Sequence, residues 1–233
     1  GAWTYEVDNA LPAVQSLGTG ETLTDTVAVS SVDGTEQSIE ITITGTNDVP
    51  FISGDRAASL TEDVSVDANG DLVVSGQLAI TDADAGEAFF NEGTVPGAHG
   101  SLTITPDGSW TYEVDNDLPE VQGLGEGEFL TDTVTVTSVD GTEQAITITI
   151  NGADDNADIS GELSGSVTED VAVDANGDLV ASGQLTITDA DAGEALFNAA
   201  TVSGAHGSLT ITPEGAWTYE VDNDLPEVQS LGD

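Results

Sequence analysis

Gly100-Ser101-Leu102-Thr103-Ile104-Thr105-Pro106-Asp107-Gly108-Ser109-Trp110-Thr111-Tyr112-Glu113-Val114 is the stretch whose reading decides the fold. Leu102 and Ile104 share one parity, and after the turn Trp110, Tyr112 and Val114 share another. Thr103, Thr111 and Glu113 fall on the opposite faces. Apolar residues at every second position are the mark of a strand with one face buried. Asp107-Gly108 joins the two runs and reads as a tight hairpin, because glycine tolerates the positive φ that such turns require.

The same alternation extends outward. Leu72, Val74, Leu78 and Ile80 keep one parity, Val134 and Val136 continue it, and Ile146, Ile148 and Ile150 close it. Thr133, Thr135, Thr147 and Thr149 lie opposite, where a β-branched polar residue suits the wet face of a sheet. Asn69-Gly70 and Asp140-Gly141 mark further turns, the first expected as a hairpin. Leu118-Pro119-Glu120-Val121-Gln122 departs from the alternation. Pro119 near its start, with Gly123 and Gly125 beyond its end, predicts a single helical turn. The expected fold is all-β, with about seven or more antiparallel strands per repeat and one short helical turn. An antiparallel β-sandwich of immunoglobulin or cadherin type is its natural closure. One Trp and one Tyr per repeat imply a small core, of modest stability without a bound ion.

Gly1-Ala2-Trp3-Thr4-Tyr5-Glu6-Val7-Asp8-Asn9 recurs from Gly108 and again from Gly215, a shift of 107 residues each time. The same shift carries Thr61-Glu62-Asp63-Val64 onto Thr168-Glu169-Asp170-Val171. Solenoid repeats run about 20–50 residues, whereas this period is the size of a whole domain. The expected organisation is beads on a string. Residues 1–48 are the C-terminal part of one repeat, 49–155 a complete repeat, and 156–233 the N-terminal part of a third. The chain opens inside a motif, with no signal peptide in view, as a window on something longer would.

Acids number 44 and bases 1, for a formal charge of −43. Such a body repels nucleic acid and anionic membranes. High charge alone permits disorder, but the regular alternation argues for a folded chain whose acids are neutralised by divalent cations. Hard cations such as calcium take carboxylate and carbonyl oxygens. Without cysteine there are neither disulfides nor thiolate sites, so calcium is the candidate staple. No apolar stretch is long enough to insert into a membrane.

The string 100–112, Val121-Gln122-Gly123-Leu124-Gly125-Glu126-Gly127-Glu128, Leu130-Thr131-Asp132-Thr133, Val139-Asp140-Gly141 and Gly45-Thr46-Asn47-Asp48-Val49-Pro50 together resemble the VCBS repeat family. That resemblance implies cadherin-like or immunoglobulin-like repeats of giant RTX-type adhesins. Those are exported by type I secretion to the surface of Gram-negative bacteria and often anchor biofilms. The second repeat end departs from the pattern: Gly152-Ala153-Asp154-Asp155-Asn156-Ala157 has no proline at the position of Pro50.

Three acidic clusters are candidate calcium ligands. The first is the linker, Asn47 and Asp48, with Asp154 and Asp155 at the next junction. The second is Glu62-Asp63, repeated as Glu169-Asp170. The third is Asp82, Asp84 and Glu87, repeated as Asp189, Asp191 and Glu194. Alternating carboxylates followed by glycine suit a calcium loop, and the set resembles the one cadherins use between domains. The three clusters are expected to converge near a repeat boundary, against the bland reading of solvated loop acids. Asp67-Ala68-Asn69-Gly70-Asp71 lacks the spacing of an EF-hand loop. Asp115-Asn116 either supplies oxygens or begins the helical turn. His99 and His206, one to a repeat, read as loop residues rather than zinc ligands, and Arg56 as exposed or locally paired. No nucleophile–base constellation appears, so no enzyme is expected.

The expected function is therefore a calcium-rigidified spacer or stalk, its partners the neighbouring repeats of the same chain. Two alternatives stay open. The repeat itself binds carbohydrate, which a solvent-facing Trp110 would favour. Or chains assemble end to end into a filament, residues 20–48 of one completing the repeat that stops at Asp233 of another.

Overall fold

Alternation becomes strand at each of the runs above. The computed structural model describes residues 1–231. In chain order the elements are α1 (Pro12–Gln15), β1 (Thr22–Ser30), β2 (Glu36–Thr44), β3 (Phe51–Gly54), β4 (Ala57–Thr61), β5 (Asp71–Thr81), β6 (Gly93–Pro96), β7 (Ser101–Ile104), β8 (Ser109–Asp115), α2 (Pro119–Gln122), β9 (Phe129–Thr137), β10 (Glu143–Asn151), β11 (Asp158–Gly161), β12 (Asp178–Thr188), β13 (Ala200–Ser203), β14 (Ser208–Ile211), β15 (Ala216–Asp222) and α3 (Pro226–Gln229). They fall into two compact units: residues 1–116 with 129–151, and residues 117–128 with 152 onward. Among the described residues no helix is long and apolar enough to cross a membrane.

The first unit holds a five-stranded sheet, β3-β5-β8-β7-β6, a three-stranded sheet, β4-β10-β9, and the β1-β2 hairpin. Leu102 pairs with Tyr112 and Ile104 with Trp110 across the β7-β8 hairpin. Its turn closes through Gly108 N–H to the Thr105 carbonyl at 2.9 Å. Gly108 has φ +86°, and a Cβ there would strike the Leu78 carbonyl, so only glycine fits without strain. Leu72, Leu78, Leu102, Ile104, Trp110, Tyr112 and Val114 from the larger sheet are buried, as are Val134, Val136, Ile146, Ile148 and Ile150 from the smaller. Full burial of each aliphatic side chain contributes about 1.5–3 kcal/mol before entropy is counted. This is the core of a β-sandwich, as the parity of the sequence predicts.

Two features differ from expectation. First, β4 runs parallel to β10, with Ala57 opposite Thr147 and Asn151 opposite Thr61. Second, Asn69-Gly70 forms a turn but not a hairpin. Asp67 Oδ1 accepts the N–H groups of Asn69 at 2.7 Å and Asp71 at 3.0 Å, and the chain then enters β5. The strand before it, β4, pairs with β10 instead, so residues 62–70 carry the chain from one sheet to the other.

The second unit repeats the larger sheet as β11-β12-β15-β14-β13. Leu179, Val221 and Val228 are buried there, with Tyr219 and Leu225 packed against them. α2 and α3 are single turns with proline at the start. Their extended N-cap residues, Leu118 and Leu225, make no side-chain cap, so proline geometry rather than an Asn or Asp cap begins each turn.

Candidate cation sites at the repeat junctions

Each site grows from the loop that leaves a long central strand. After β5, Asp84 N–H donates to Asp82 Oδ1 at 2.9 Å, and Glu87 N–H to the Asp84 carbonyl at 3.4 Å. Gly86, with φ +85°, turns the chain between them. These bonds fold three carboxylates onto one short loop. The linker joins them: Asp48 N–H donates to Asp84 Oδ2 at 2.7 Å. The preceding repeat closes the other side. Ala85 N–H donates to the Ser16 carbonyl at 3.1 Å, and Gly18 N–H to Glu21 Oε2 at 3.2 Å. A Cβ on Gly18 would lie 2.8 Å from Glu87 Oε1, so glycine lets the backbone approach the carboxylate.

The second unit builds the same site from the residues 107 positions on. Asp191 N–H donates to Asp189 Oδ1 at 3.0 Å, and Asp155 N–H to Asp191 Oδ2 at 2.9 Å. Ala192 N–H donates to the Gly123 carbonyl at 3.2 Å, and Gly125 N–H to Glu128 Oε2 at 3.3 Å. Asp154, Asp191 and Glu194 each bring a carboxylate oxygen within 4.8 Å of the others.

The donor set fits a hard cation. Asp84 and Asp191 are each 2% exposed. Their Oδ1 atoms, with Asp82 Oδ2 and Glu87 Oε2, are buried without a hydrogen-bond partner among the described residues. Buried anionic oxygens left unpaired cost several kcal/mol per ion in general, of order 3–5, so a satisfying partner is expected. Every available ligand atom is oxygen, as calcium prefers. Burial, then the charges of Asp84, Asp82, Asp140 and Glu21, raise the Glu87 carboxyl above its ordinary range. Burial, then Asp191, Asp154, Asp189 and Glu128, do the same to Glu194.

Within each unit the structure places the second predicted cluster, Glu62-Asp63 and its repeat Glu169-Asp170, away from the Asp-x-Asp loop. Asp63, at φ 58°, receives a bond from Asn116 Nδ2 at 2.7 Å and returns its N–H to Asn116 Oδ1 at 2.9 Å. Glu62 is buried, its N–H donating to the Asn151 carbonyl at 3.0 Å. Asp170 and Asn223 repeat the reciprocal pair at 2.9 Å in both directions. Asn223 and Gln229 hold the Asp170 carboxyl below its ordinary range, and Glu169 Oε2 is buried without a partner among the described residues. Asn116 follows the strand residue Asp115, which pairs with Asp71 at the start of β5, whereas Asp82 follows its end. An eleven-residue strand rising about 3.3 Å per residue separates the two ends by about 33 Å. Within one unit, therefore, the linker meets the Asp-x-Asp loop, and the Glu-Asp pair sits at the opposite pole. Asn116 thus spends both ends of its side-chain amide on Asp63.

Two acids escaped the sequence reading. Asp140, in the β9-β10 turn, hydrogen-bonds the Asn47 side chain and adds its charge to the field at Glu87. Val139 N–H, bonded to the Phe89 carbonyl at 3.0 Å, fixes that turn beside the loop. Asp132 is 1% exposed. It accepts N–H groups from Ala98 at 2.9 Å, His99 at 3.1 Å and Gly100 at 3.3 Å, and the Tyr112 hydroxyl at 2.8 Å. Asp132 interrupts the apolar parity of β9, which was the one signal available. His99 stands in the turn that cradles it. Arg56 is exposed and donates to the Ile52 carbonyl. Trp110 is buried, its Nε1 donating to the Asp55 carbonyl at 3.1 Å. It is not the solvent-facing aromatic that a sugar-gripping patch would present.

Residues 47–152 match the family model of the bacterial cadherin-like domain. No curated protein sequence matches the chain. Among solved structures, a Ca2+-stabilized adhesin with which an Antarctic bacterium binds ice is similar at 16% identity and TM-score 0.26, over 87% of this chain and 48% of that one. This chain thus spans about half of that adhesin structure. The human CDH23 EC21-23 fragment gives 17% identity and TM-score 0.45, over 88% and 66%. A 1.5-MDa bacterial ice-binding adhesin gives 17% and 0.28, over 87% and 63%.

Proposed function

We propose that this chain is an extender segment of a secreted adhesin of VCBS type, exported through type I secretion to the surface of a Gram-negative bacterium and stiffened by calcium at its repeat junctions. One observation carries the reading. The same oxygen cluster occurs twice, 107 residues apart, each time with a buried aspartate whose Oδ1 has no hydrogen-bond partner among the described residues. A solvated loop acid has no need of burial.

Asp48, Asp82, Asp84 and Glu87, with Glu21 and Asp140 beside them, would hold the ion at the first junction. Asp154, Asp155, Asp189, Asp191 and Glu194, with Glu128, would hold it at the second. Glu62-Asp63 and Glu169-Asp170 mark the far pole of their repeats, where the next repeat of a tandem array would bring its own loop. Bound calcium neutralises the carboxylates and fixes their spacing. The chain's own groups orient the linker through the Asp48 and Asp155 N–H bonds and bring the preceding repeat to the loop through the Ser16 and Gly123 carbonyls. Extracellular modules bind calcium at about 10⁻⁴–10⁻³ M, so the stalk would be rigid outside the cell. Inside, where calcium is scarce, the −43 charge would keep the chain loose for export. Cells displaying the array should adhere and form biofilm in calcium and lose both in chelator. Adhesion unchanged by chelation would contradict this role.

A further inference from the structure

The two junctions share their bonding but not their charge. Gly18 and Gly125, Glu21 and Glu128, Asp48 and Asp155, Asp82 and Asp189, Asp84 and Asp191, and Glu87 and Glu194 correspond at the 107-residue shift. The hydrogen bonds that fold the two loops correspond with them. Thr19 and Asn47 of the first junction, however, become Glu126 and Asp154 in the second.

The neutral pair of the first junction is committed to holding the linker. Asn47 N–H donates to Thr19 Oγ1 at 3.1 Å, and Asn47 Nδ2 to the Asp48 carbonyl at 3.0 Å. The Asn47 side chain also bonds Asp140. Asp154 can donate nothing from its side chain. It instead brings a carboxylate oxygen within 4.8 Å of oxygens on Asp191 and Glu194, and Asp191 is nine-tenths buried with Oδ1 lacking a hydrogen-bond partner among the described residues. Affinity for calcium rises with the number of charged ligands.

We propose that the junctions load calcium in sequence, the second before the first, and that residue 154 against residue 47 sets the order. This rests on the calcium reading above and adds to it that the array is graded rather than uniform. At intermediate calcium, one junction is fixed while the other still flexes. Asp140 adds one charge near Glu87 in the first junction. The amide of Asn47 is bonded to that same carboxylate, whereas Asp154 faces its cluster with nothing to donate.

The test is calorimetric titration of the whole chain, stripped of metal, with calcium chloride. The expected result is two classes of site differing about tenfold in Kd, the tighter lost in Asp191→Asn and the weaker in Asp84→Asn. Asp154→Asn should weaken the tight class about tenfold, and Asn47→Asp should strengthen the weak one by a similar factor. Circular dichroism of each variant checks that it folds. Binding in one uniform class, loss of the tight class in Asp84→Asn, or an unchanged tight class in folded Asp154→Asn would overturn the ordering alone. No calcium heat from the unaltered chain at about 10⁻³ M would overturn the calcium reading itself, and the ordering with it.

Discussion

Asp48 N–H lies 2.7 Å from Asp84 Oδ2, and that single bond ties the linker between repeats to the loop that leaves β5. Its counterpart, Asp155 N–H to Asp191 Oδ2, measures 2.9 Å. A carboxylate so held is already oriented. One oxygen is occupied by backbone, and the other has no hydrogen-bond partner among the described residues. In the proposed ion site the linker and the loop would form one preorganised half, and preorganisation lowers the cost of binding.

Asp84→Asn should therefore change sign with calcium. The amide keeps a carbonyl to accept the Asp48 N–H but removes a charge that opposes Glu87 and Asp82. In chelator the first unit should melt at or above the temperature of the unaltered protein. In calcium it should melt below it, by several degrees for a loss of about 1–2 kcal/mol. Thermal melts in both buffers check this, and a uniform drop in both would mean the side chain is only structural.

Removing Asp132 should be among the most damaging single changes. Three backbone N–H groups and the Tyr112 hydroxyl lose their acceptor inside the sandwich. Breaking such a buried charged network costs about 3–5 kcal/mol, so Asp132→Ala should show that loss in denaturant melts. Tyr112→Phe removes one donor and should cost about 1–2 kcal/mol.

Stability in chelator should be bell-shaped in pH. Glu87 and Glu194 are raised by burial and by their acidic neighbours. Their favourable contribution is complete below the ordinary glutamate value and is lost as pH rises through the raised one. Acidifying from neutral pH toward the ordinary glutamate value should then raise the Tm. Asp132 runs the other way. Burial pushes it up, but the Ala98 N–H, the Tyr112 hydroxyl and the His99 and Gly100 N–H groups outweigh that and lower it. Its contribution is present above the ordinary aspartate value and lost as pH falls through the lowered one, giving the acid limb. Calcium should abolish that rise, since the ion does what the proton does. Melts across pH with and without chelator decide the matter.

Asn116→Ala should destabilise by about 1–2 kcal/mol. Asn116 is 5% exposed and makes two bonds with Asp63, which sits in the left-handed region at φ 58°. Asp63→Gly relieves that backbone strain, of about 1–3 kcal/mol, and loses the side-chain bond from Asn116, so it should cost less than Asn116→Ala. Denaturant melts of the two variants rank them.

Period-2 parity located the strands, because alternation is a local property of any sheet with one wet face. Ile146, Ile148 and Ile150 needed nothing distant to be read as core. The helical turn was legible because Pro119 and Gly123 act through their own backbones. The parallel pairing of β4 with β10 was not legible, since the direction in which two distant strands pair leaves no mark on either strand. Asp82, Asp84 and Glu87 were visible as a cluster because they share one loop. Asp140 was not, because only folding brings the β9-β10 turn to Asn47. That Glu62-Asp63 and Asp82 lie at opposite ends of one repeat was not legible, because sequence order conceals that the length of β5 lies between them.

The most direct measurement is small-angle scattering of the chain during a calcium titration, with the Tm followed in parallel. If calcium clamps the junctions, the distribution of particle lengths narrows and shifts to longer values as the ion is added, and the Tm rises with it. A length distribution and Tm indifferent to calcium up to about 10⁻³ M would contradict the stiffened stalk and leave the buried aspartates as structural charges alone.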